Sequence, residues 1–442
     1  MRRLLSLSRR RETGSVLLVT LLVGIVIAVT LLGYLRLVEH QNDTVARAQA
    51  WNAAMAAAEA GIEEALAHLN PEGVFSPALV NRAANGWQAA NGSYFMPGYP
   101  TPRALGSNVA YVVRFTDTPL PTLYATGYVT VPALKTTVSR AVELRTTNAP
   151  LFSVAMAALM NITMNGNNLG TDSFISTNAA YSTGGMYDPA KRRDNGDVAS
   201  IYGIINVGNA KIRGDLLTGP TGSYRVGANG LVGDLAWTGP GIQTNRYAND
   251  FNMEYPSVAL PAGLNPFTPP IGMRDKKIDG VTYQYAFDSG GSYTINGLTR
   301  PVYVGAGANV TLHITGNVKL SGGESIVVAP GGKLTIYMSG TSFDLGGGGV
   351  MNNSSPLNFS YYGLPSNTSI SFSGNAGFSG SIYAPNAHLS LSGGGNPANT
   401  VDFSGASVTR SVAMNGHLNF HYDEALAQLG PTILRAFSWR EP

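Results

Sequence analysis

The side chains of the second half of this chain that could carry out chemistry are a few acids and two histidines. The acids that stand out are Asp172, Asp402, Asp423 and Glu424. Hydrolysis of a polysaccharide needs clustered carboxyl groups that act as acid and base. A lyase needs acids that bind Ca²⁺ beside an Arg or Lys base. The second half has no Asp-Asp pair and no such cluster, so we predict no catalytic residue and a protein that is not an enzyme.

The two histidines, His417 and His421, lie four residues apart near Asp423. On a strand this spacing places both on one face, but a zinc site would need further ligands and no third one is evident. We therefore expect a structural role in which His421 bonds to backbone, and we predict neither a metal nor a cofactor. The acidic stretch from Arg193 to Asp197 is interpreted as a solvated turn, and Asp172 as a turn or cap residue.

Composition excludes several classes of protein. The 442 residues contain no cysteine, which excludes disulfides, thiolate metal sites and thiol catalysis. Only 12% are charged, while Gly (53) and Pro (25) are plentiful, as in β-proteins with many short strands and tight turns. The net charge of +3 comes from five arginines in the first eleven residues: Arg2, Arg3, Arg9, Arg10 and Arg11. We predict no nucleic-acid partner, because no basic stripe with interleaved aromatics follows.

An uncharged run from Ser15 to Leu35 is long enough to cross a bilayer as a helix. The arginines before it predict a cytoplasmic N-terminus and an extracytoplasmic body, because positive charge favours the cytoplasmic side. A cleaved signal peptide would have a shorter apolar run followed by a small-residue cleavage site, whereas this run leads into Arg36. A plain single-pass anchor remains an alternative.

The helix is predicted to continue to Leu69, because no proline occurs before Pro71 and alanine is dense. Apolar residues recur at steps of three and four, which is typical of one packed helix face. This predicted packing stripe consists of Trp51, Met55, Ala58, Ile62, Leu66 and Leu69.

This N-terminal layout resembles type IV pilins and the pseudopilins of type II secretion, above all the minor pilins. The resemblance rests on a basic leader ending in Gly14, on the apolar helix, and on the segment AAMAAAEAGIEEALAHL. It implies that a prepilin peptidase cuts between Gly14 and Ser15. It also implies that the helix, with Val19, Gly24, Gly33 and Leu35, lies in membrane lipid and packs against other pilin-like subunits. Ser15 and Val19 depart from the family's usual Phe and Glu, as expected of a minor rather than a major subunit.

The rest of the chain is predicted to be mainly β. Alternating runs at 108–116, 123–131 and 135–145 indicate a small antiparallel sheet like a pilin head. From Leu151 onward, short apolar-alternating runs separated by Gly or Asn-Gly favour stacked coils over a β-sandwich. The predicted segments are a leader (1–14), the helix (15–70), a head-like segment (71–150), a β-solenoid (151–420) and a C-terminal cap or tail (421–442). A short helix between Tyr422 and Phe437 is expected to cap the solenoid.

The second half also resembles an uncharacterised domain of bacterial surface and pilus-assembly-like proteins. The resemblance rests on four pieces, at 171–174, 380–386, 405–408 and 421–426. It implies a right-handed parallel β-helix in a surface setting, with no known reaction.

The leading functional hypothesis is a structural component of a pilus or pseudopilus that carries the solenoid outside the cytoplasmic membrane, at the cell surface if the pilus is assembled. The first alternative is a membrane-anchored adhesin that binds a surface glycan. Exposed aromatic residues on one face, such as Tyr361, Tyr362 and Tyr383, would favour it. The second alternative is a β-helix polysaccharide hydrolase or lyase.

Overall fold

The computed structural model describes residues 15–70, 85–132, 134–253, 255–261, 264, 267–352, 354–374, 377–393, 401–429 and 432–442. Contacts divide these residues into two units. We call the first unit the head; it comprises the described residues of 15–68, 85–147 and 436–442. We call the second unit the body; it comprises residues 69–70 and the described residues of 148–435. The predicted leader lies outside the described residues, and the boundaries of the five predicted segments stay predictions.

The chain begins its described part with one helix, α1, which runs unbroken from Ser15 to Leu69. Its 55 residues correspond to a length of roughly 80 Å at 1.5 Å per residue. Alanine-rich sequence and the absence of proline before Pro71 explain why it does not break.

The head pairs α1 with a seven-stranded sheet. The strands run in the order β1-β2-β4-β5-β6-β31, with β3 beside β4, and every strand pair with a resolved register is antiparallel. Strand β5 alternates buried and less buried residues along most of its length, as one covered face requires. The strands of this sheet are β1 (Gln88–Ala90), β2 (Ser93–Phe95), β3 (Arg103–Ala104), β4 (Val109–Thr116), β5 (Thr122–Val131), β6 (Thr136–Pro150) and β31 (Thr432–Arg440). Residues 148–150 of β6 and 432–435 of β31 are counted with the body.

The body contains the other strands, which form a second sheet, and one short helix, α2 (Leu426–Leu429). Its strands before residue 260 are β7 (Met156–Ala158), β8 (Ile162–Phe174), β9 (Val198–Ser200), β10 (Ile204–Gly208), β11 (Lys211–Arg213), β12 (Leu216–Thr218), β13 (Ser223–Val226), β14 (Leu231–Gly233), β15 (Gly241–Ile242) and β16 (Tyr247–Ala248). Those after it are β17 (Arg274–Ile278), β18 (Val281–Phe287), β19 (Gly291–Ile295), β20 (Val302–Val304), β21 (Asn309–Ile314), β22 (Val318–Leu320), β23 (Ser325–Val328), β24 (Lys333–Met338), β25 (Ser342–Gly346), β26 (Gly349–Asn352), β27 (Phe359–Gly363), β28 (Ser369–Gly374), β29 (Phe378–Gly393) and β30 (Val401–Asp423). The expectation of a mainly β chain with one long N-terminal helix is confirmed, and the chain has both antiparallel and parallel pairing.

Parallel pairing in the body repeats every third strand. Strand β20 pairs with β23, β21 with β24, and β22 with β25, and the same step continues to β28. The register places apolar residues on apolar residues, so that each strand adds side chains to a continuous core. One such column consists of Val318, Phe343, Ile370, Leu389, Val412, Ile162, Ile205 and Tyr224.

This column does not follow the order of the chain. Strand β30 pairs with β29 on one side and with β7 and β8 on the other, so the strands before residue 250 extend the ladder beyond its C-terminal strand. A return segment, residues 251–273, connects the two ends of the ladder. Phe251 N donates to Thr218 O at 3.0 Å, and Thr294 N donates to Phe267 O at 2.9 Å. Between them, the Tyr383 hydroxyl donates to Pro256 O at 2.7 Å.

The C-terminal prediction needs correction. The helix expected between Tyr422 and Phe437 is confined to the four residues of α2, and Thr432–Arg440 is the strand β31 of the head sheet. Pro431 cannot continue a helix, and the β-branched Thr432 and Ile433 that follow favour a strand.

Two tyrosines lie at the ladder end formed by β13 and β16. Tyr224 follows Ile205 in one core column, and Tyr247 follows Leu216 in another. Their rings meet edge to face with centroids 4.6 Å apart. They shield the last apolar residues of both columns from solvent.

Candidate functional site

The N-terminal half of α1 is an apolar surface that nothing in the described chain covers. Its large apolar side chains between Val16 and Leu35, including Val19, have exposed fractions of 48–75%. A Cβ at Gly24 or Gly33 would meet no atom within 4 Å. The helix is long and apolar enough to cross a membrane, and an N-terminal helix of this kind fits a single-pass anchor. Ser15 is its first residue, whereas Gly14 lies outside the described residues, so the processing site stays a prediction.

The C-terminal half of α1 packs through its smallest residues. Ala58, Ile62 and Leu69 of the predicted stripe are buried, and Met55 and Leu66 are half-buried. Trp51 is 49% exposed, and the Arg140 guanidinium lies 4.9 Å from the centroid of its ring. The helix face that is most deeply buried in the head consists of Ala50, Ala54, Ala57, Ala58, Gly61, Ile62 and Ala65.

Two glycines explain why alanine occupies this face. A Cβ at Gly127 of β5 would overlap the carbonyl oxygen of Ala54 and lie 2.6 Å from Ala58 N. A Cβ at Gly61 of α1 would lie 2.8 Å from Tyr111 Cδ2. The helix and the sheet therefore touch at backbone distance, which larger side chains would prevent. Hydrophobicity scales rate alanine as a weak core residue, so a search for large apolar side chains misses this contact.

Polar contacts hold the same face of α1 to the sheet. Glu64 forms an ion pair with Arg103 and accepts a hydrogen bond from the Tyr111 hydroxyl at 2.5 Å. Burial, together with the charge and hydrogen bond of Glu64, raises the pKa of Tyr111 to about 12. Near the end of the helix, Trp87 Nε1 donates to His68 Nδ1 at 2.5 Å.

The body brings together residues that are distant in the sequence. Strand β30 pairs with β8 in a register that sets His421 opposite Asp172. His421 Nδ1 donates to Asp172 Oδ1 at 2.5 Å, and Nε2 lies 3.6 Å from Asp402 Oδ1. The Tyr187 ring stacks on the imidazole with centroids 3.5 Å apart and planes at 15°. Its hydroxyl donates to Asp172 Oδ2 at 2.7 Å.

Electrostatics in this cluster favour a charged imidazole. Burial lowers the pKa of His421, but hydrogen bonds and charges from Asp172 and Asp402 outweigh it and raise the pKa above its ordinary value. Burial and the nearby Asp172 carboxylate raise the pKa of Tyr187, which keeps its hydroxyl protonated. The prediction that His421 bonds to backbone is replaced by a bond between side chains.

The remaining candidate residues do not join this cluster. His417 is half-buried and lies opposite Asn168 in the ladder. Asp423 Oδ1 accepts from Ser176 N at 2.9 Å, and burial raises the pKa of its carboxyl. Glu424 Oε1 accepts from the Ser173 hydroxyl at 2.7 Å and from Arg193 Nε at 2.9 Å.

The stretch from Arg193 to Asp197 is only partly solvated, contrary to the interpretation from sequence. Asp197 Oδ1 accepts from Asp215 N at 2.7 Å, and burial raises the pKa of the Asp197 carboxyl to about 6. The Arg246 guanidinium bonds to both Asp194 and Asp215. The stretch is therefore part of the body's packing.

An open groove of about 490 Å³ passes beside the exposed carboxylate of Asp402. It is lined by Gly348, Val350, Met351, Asn352, Gly377, Phe378, Ser379, Asp402 and Ser404. Asp402 is the one acid in this lining, and Asp172 lies across the imidazole ring from it. Within the described ranges, no group of three or more His, Cys, Asp or Glu residues could hold a metal ion. Tyr361, Tyr362 and Tyr383 are buried in the core, so they form no exposed aromatic ladder.

Comparison with known proteins adds two matches. Residues 289–429, less than half of the chain, match a family described as a domain of unknown function (DUF7305). The crystal structure of the competence-associated pilin ComZ from Thermus thermophilus aligns over 89% of this chain and 97% of its own, with 13% identity and a TM-score of 0.23. A TM-score this low supports no conclusion about fold or function. No curated protein matches the chain.

Proposed function

We propose that this protein is a non-enzymatic structural subunit of a type IV pilus-like or type II secretion pseudopilus system, similar to a minor pilin. The observation that carries the proposal is the division of α1 into two halves. Its first half is apolar and exposed, and its second half is packed against an antiparallel sheet through alanine and glycine. A helix of this kind can sit in lipid and later in the core of a filament without any change in the head.

In this proposal the N-terminus is cytoplasmic and a prepilin peptidase cuts between Gly14 and Ser15. The positive charge of the arginine-rich leader supports that orientation. The head and body are then exported and held by α1 until neighbouring pilin-like subunits take up its exposed apolar surface.

The body in this proposal is a right-handed parallel β-helix displayed outside the cytoplasmic membrane, on the cell surface once the filament is assembled. Support comes from parallel pairing at every third strand and from apolar columns that pass through successive strands. Each strand contributes few apolar residues, so only stacking gives a continuous core.

The arrangement of two carboxylates around His421 supports a non-enzymatic role. The Asp172 and Asp402 carboxylates lie on opposite sides of one imidazole, so that ring fills the space a substrate bond would need between them. The groove beside Asp402 therefore offers one carboxylate where hydrolysis of a glycan uses two.

The test is the N-terminal residue of the native protein, isolated from envelopes and measured by intact mass and N-terminal peptide sequencing. We expect a chain that starts at Ser15, and we expect Gly14→Ala to leave the full leader in place. A Met1 start in the unaltered protein would replace the pilin role with a plain anchor. A start beyond Arg36 would remove the membrane helix and overturn the proposal entirely.

A further inference from the structure

A long connection of the body covers the outer side of β30. We call residues 175–195, which follow β8 and precede β9, the cover segment. Its first turn is held by Ser176 N, which donates to Asp423 Oδ1 at 2.9 Å. Its last turn is held by Arg193, which pairs with Glu424 and exchanges two backbone hydrogen bonds with Ser173. Both ends are therefore fixed to the body.

The middle of the cover segment is held mainly through Tyr187. The Tyr187 ring lies flat on the His421 imidazole, and its hydroxyl donates to Asp172. Around Tyr187, the segment bonds chiefly to itself, as in the bonds from Thr183 and Ala190 N to Asp188. Tyr187 also meets the Phe174 ring edge to face, with centroids 5.7 Å apart, so it links the middle part of the segment to the body beside one buried histidine.

The charges around His421 come from every element packed on it. Asp172 lies on β8, Asp402 lies on β30, and Glu424 directly follows β30. Arg192 belongs to the cover segment, and Arg213 belongs to β11. Glu424 is neutralised by Arg193, and Asp172 and Asp402 both face the ring. An imidazolium therefore donates a hydrogen bond to Asp172 and places its second N–H 3.6 Å from the Asp402 carboxylate, so its charge faces both acids.

We propose that the cover segment is a proton-controlled latch, in which protonated His421 holds Tyr187 on the body and loss of the ring proton releases the middle of the segment. A neutral ring has one N–H, so one nitrogen lone pair must face a carboxylate oxygen. The buried Asp172 then loses its counter-charge, which is costly away from water.

The direction of the pH dependence follows from the raised pKa of folded His421. A group with a raised pKa stabilises the folded state fully below its unfolded pKa, about 6.5 for histidine. That stabilisation is lost as the pH rises through the pKa that His421 has in the folded state. The latch is therefore closed in mildly acidic medium and opens in alkaline medium.

Hydrogen exchange of the full chain in detergent, followed by mass spectrometry at pH 5.5, 7.5 and 9 and corrected for intrinsic exchange, tests the latch. We expect peptides within the cover segment to lose protection between pH 5.5 and 9, in step with the loss of the His421 ring proton. Peptides from β24 should not change.

In the His421→Gln variant, the cover segment should show at every pH the weak protection that the native protein shows at pH 9. The control His388→Gln changes an exposed histidine that is bonded to Ser411, and it should keep the native pH dependence. If His421→Gln does not fold, Asp402→Asn is the test variant. Loss of one carboxylate should shift the pH at which protection of the cover segment is half lost to a lower value. Equal protection of the native protein at pH 5.5 and 9 would overturn the latch. So would a pH dependence that persists in His421→Gln, or an unshifted midpoint in Asp402→Asn.

Discussion

One carboxamide, that of Asn70, bonds to both polar atoms of the Leu434 backbone. Leu434 N donates to Asn70 Oδ1 at 2.8 Å, and Asn70 Nδ2 donates to Leu434 O at 2.5 Å. Asn70 directly follows the last residue of α1, and Leu434 lies in the C-terminal strand β31. These two bonds hold the first part of β31 to Asn70, the residue directly after the helix.

We predict that Asn70→Asp releases β31. A carboxylate still accepts from Leu434 N, but it places an oxygen instead of an N–H donor against the Leu434 carbonyl. Leaving that carbonyl without a donor costs about 1–3 kcal/mol. Trypsin should then cut faster after Arg435 and Arg440, as followed by mass spectrometry. Asn52→Asp on the exposed side of α1 is the matched control. Equal cleavage of both variants would mean that β31 does not depend on Asn70.

A second prediction concerns the contact between α1 and β5. Gly127→Val should lower the stability of the head by about 1–3 kcal/mol or more, because the added atoms overlap the helix backbone at Ala54 and Ala58. Urea unfolding followed by tryptophan fluorescence would measure it, since Trp87 is buried in the head. Gly106→Ala, at a site where a Cβ meets nothing within 4 Å, should be nearly neutral. A neutral Gly127→Val would contradict the close approach.

Asp197 gives a prediction with a defined pH window. Its carboxyl has a folded pKa of about 6, above the ordinary 3.8, so the folded state resists ionisation. Well below the ordinary pKa of 3.8 both states are protonated and the residue has little effect. Stability then falls as the pH rises to about 6 and stays lower by on the order of 2–3 kcal/mol above that.

Asp197→Asn should remove this penalty, because the amide oxygen can still accept from Asp215 N. We expect the variant to be more stable than the native protein at pH 7.5 and nearly equal to it at about pH 3, as measured by urea unfolding. Asp250→Asn serves as the exposed control. A variant less stable at pH 7.5 would show that the charge of Asp197 is needed.

The contact between Tyr224 and Tyr247, at the ladder end formed by β13 and β16, should contribute a measurable interaction energy to the stability of the body. A double-mutant cycle with Tyr224→Ala and Tyr247→Ala should give about 0.5–1.5 kcal/mol for the edge-to-face contact, beyond the loss of buried area. Tyr202→Ala, at a 64% exposed ring, should change stability little. A coupling near zero would mean that the two rings shield the core independently.

Sequence was sufficient wherever local pattern decides structure. An apolar, alanine-rich run without proline predicted α1, and alternation predicted the head strands β4, β5 and β6 within a few residues. The Gly- and Asn-bounded runs of the second half are strands, although those after residue 376 join into the long β29 and β30.

Sequence was insufficient wherever side chains are brought together by pairing between strands that are far apart in the chain. His421 and Asp172 are 249 residues apart, and only the register of β30 on β8 makes them neighbours. The helix expected between Tyr422 and Phe437 is longer than α2, because the pairing of β31 with the head sheet joins parts of the chain that are far apart in sequence. Trp51 was assigned to the packed face because it continues the three- and four-residue spacing, yet it is 49% exposed, and the close contact is made by alanine and glycine.

The order of strands in the body has a consequence for synthesis. Strands β7 to β16 leave the ribosome before β30, the strand on which β7 and β8 stack. Their inner edge stays without its partner until about 250 further residues have emerged, and an unpaired edge invites mispairing. The growing chain therefore exposes the edge of its earliest body strands until β30, the last strand of the body sheet to be made, joins the two halves of the core.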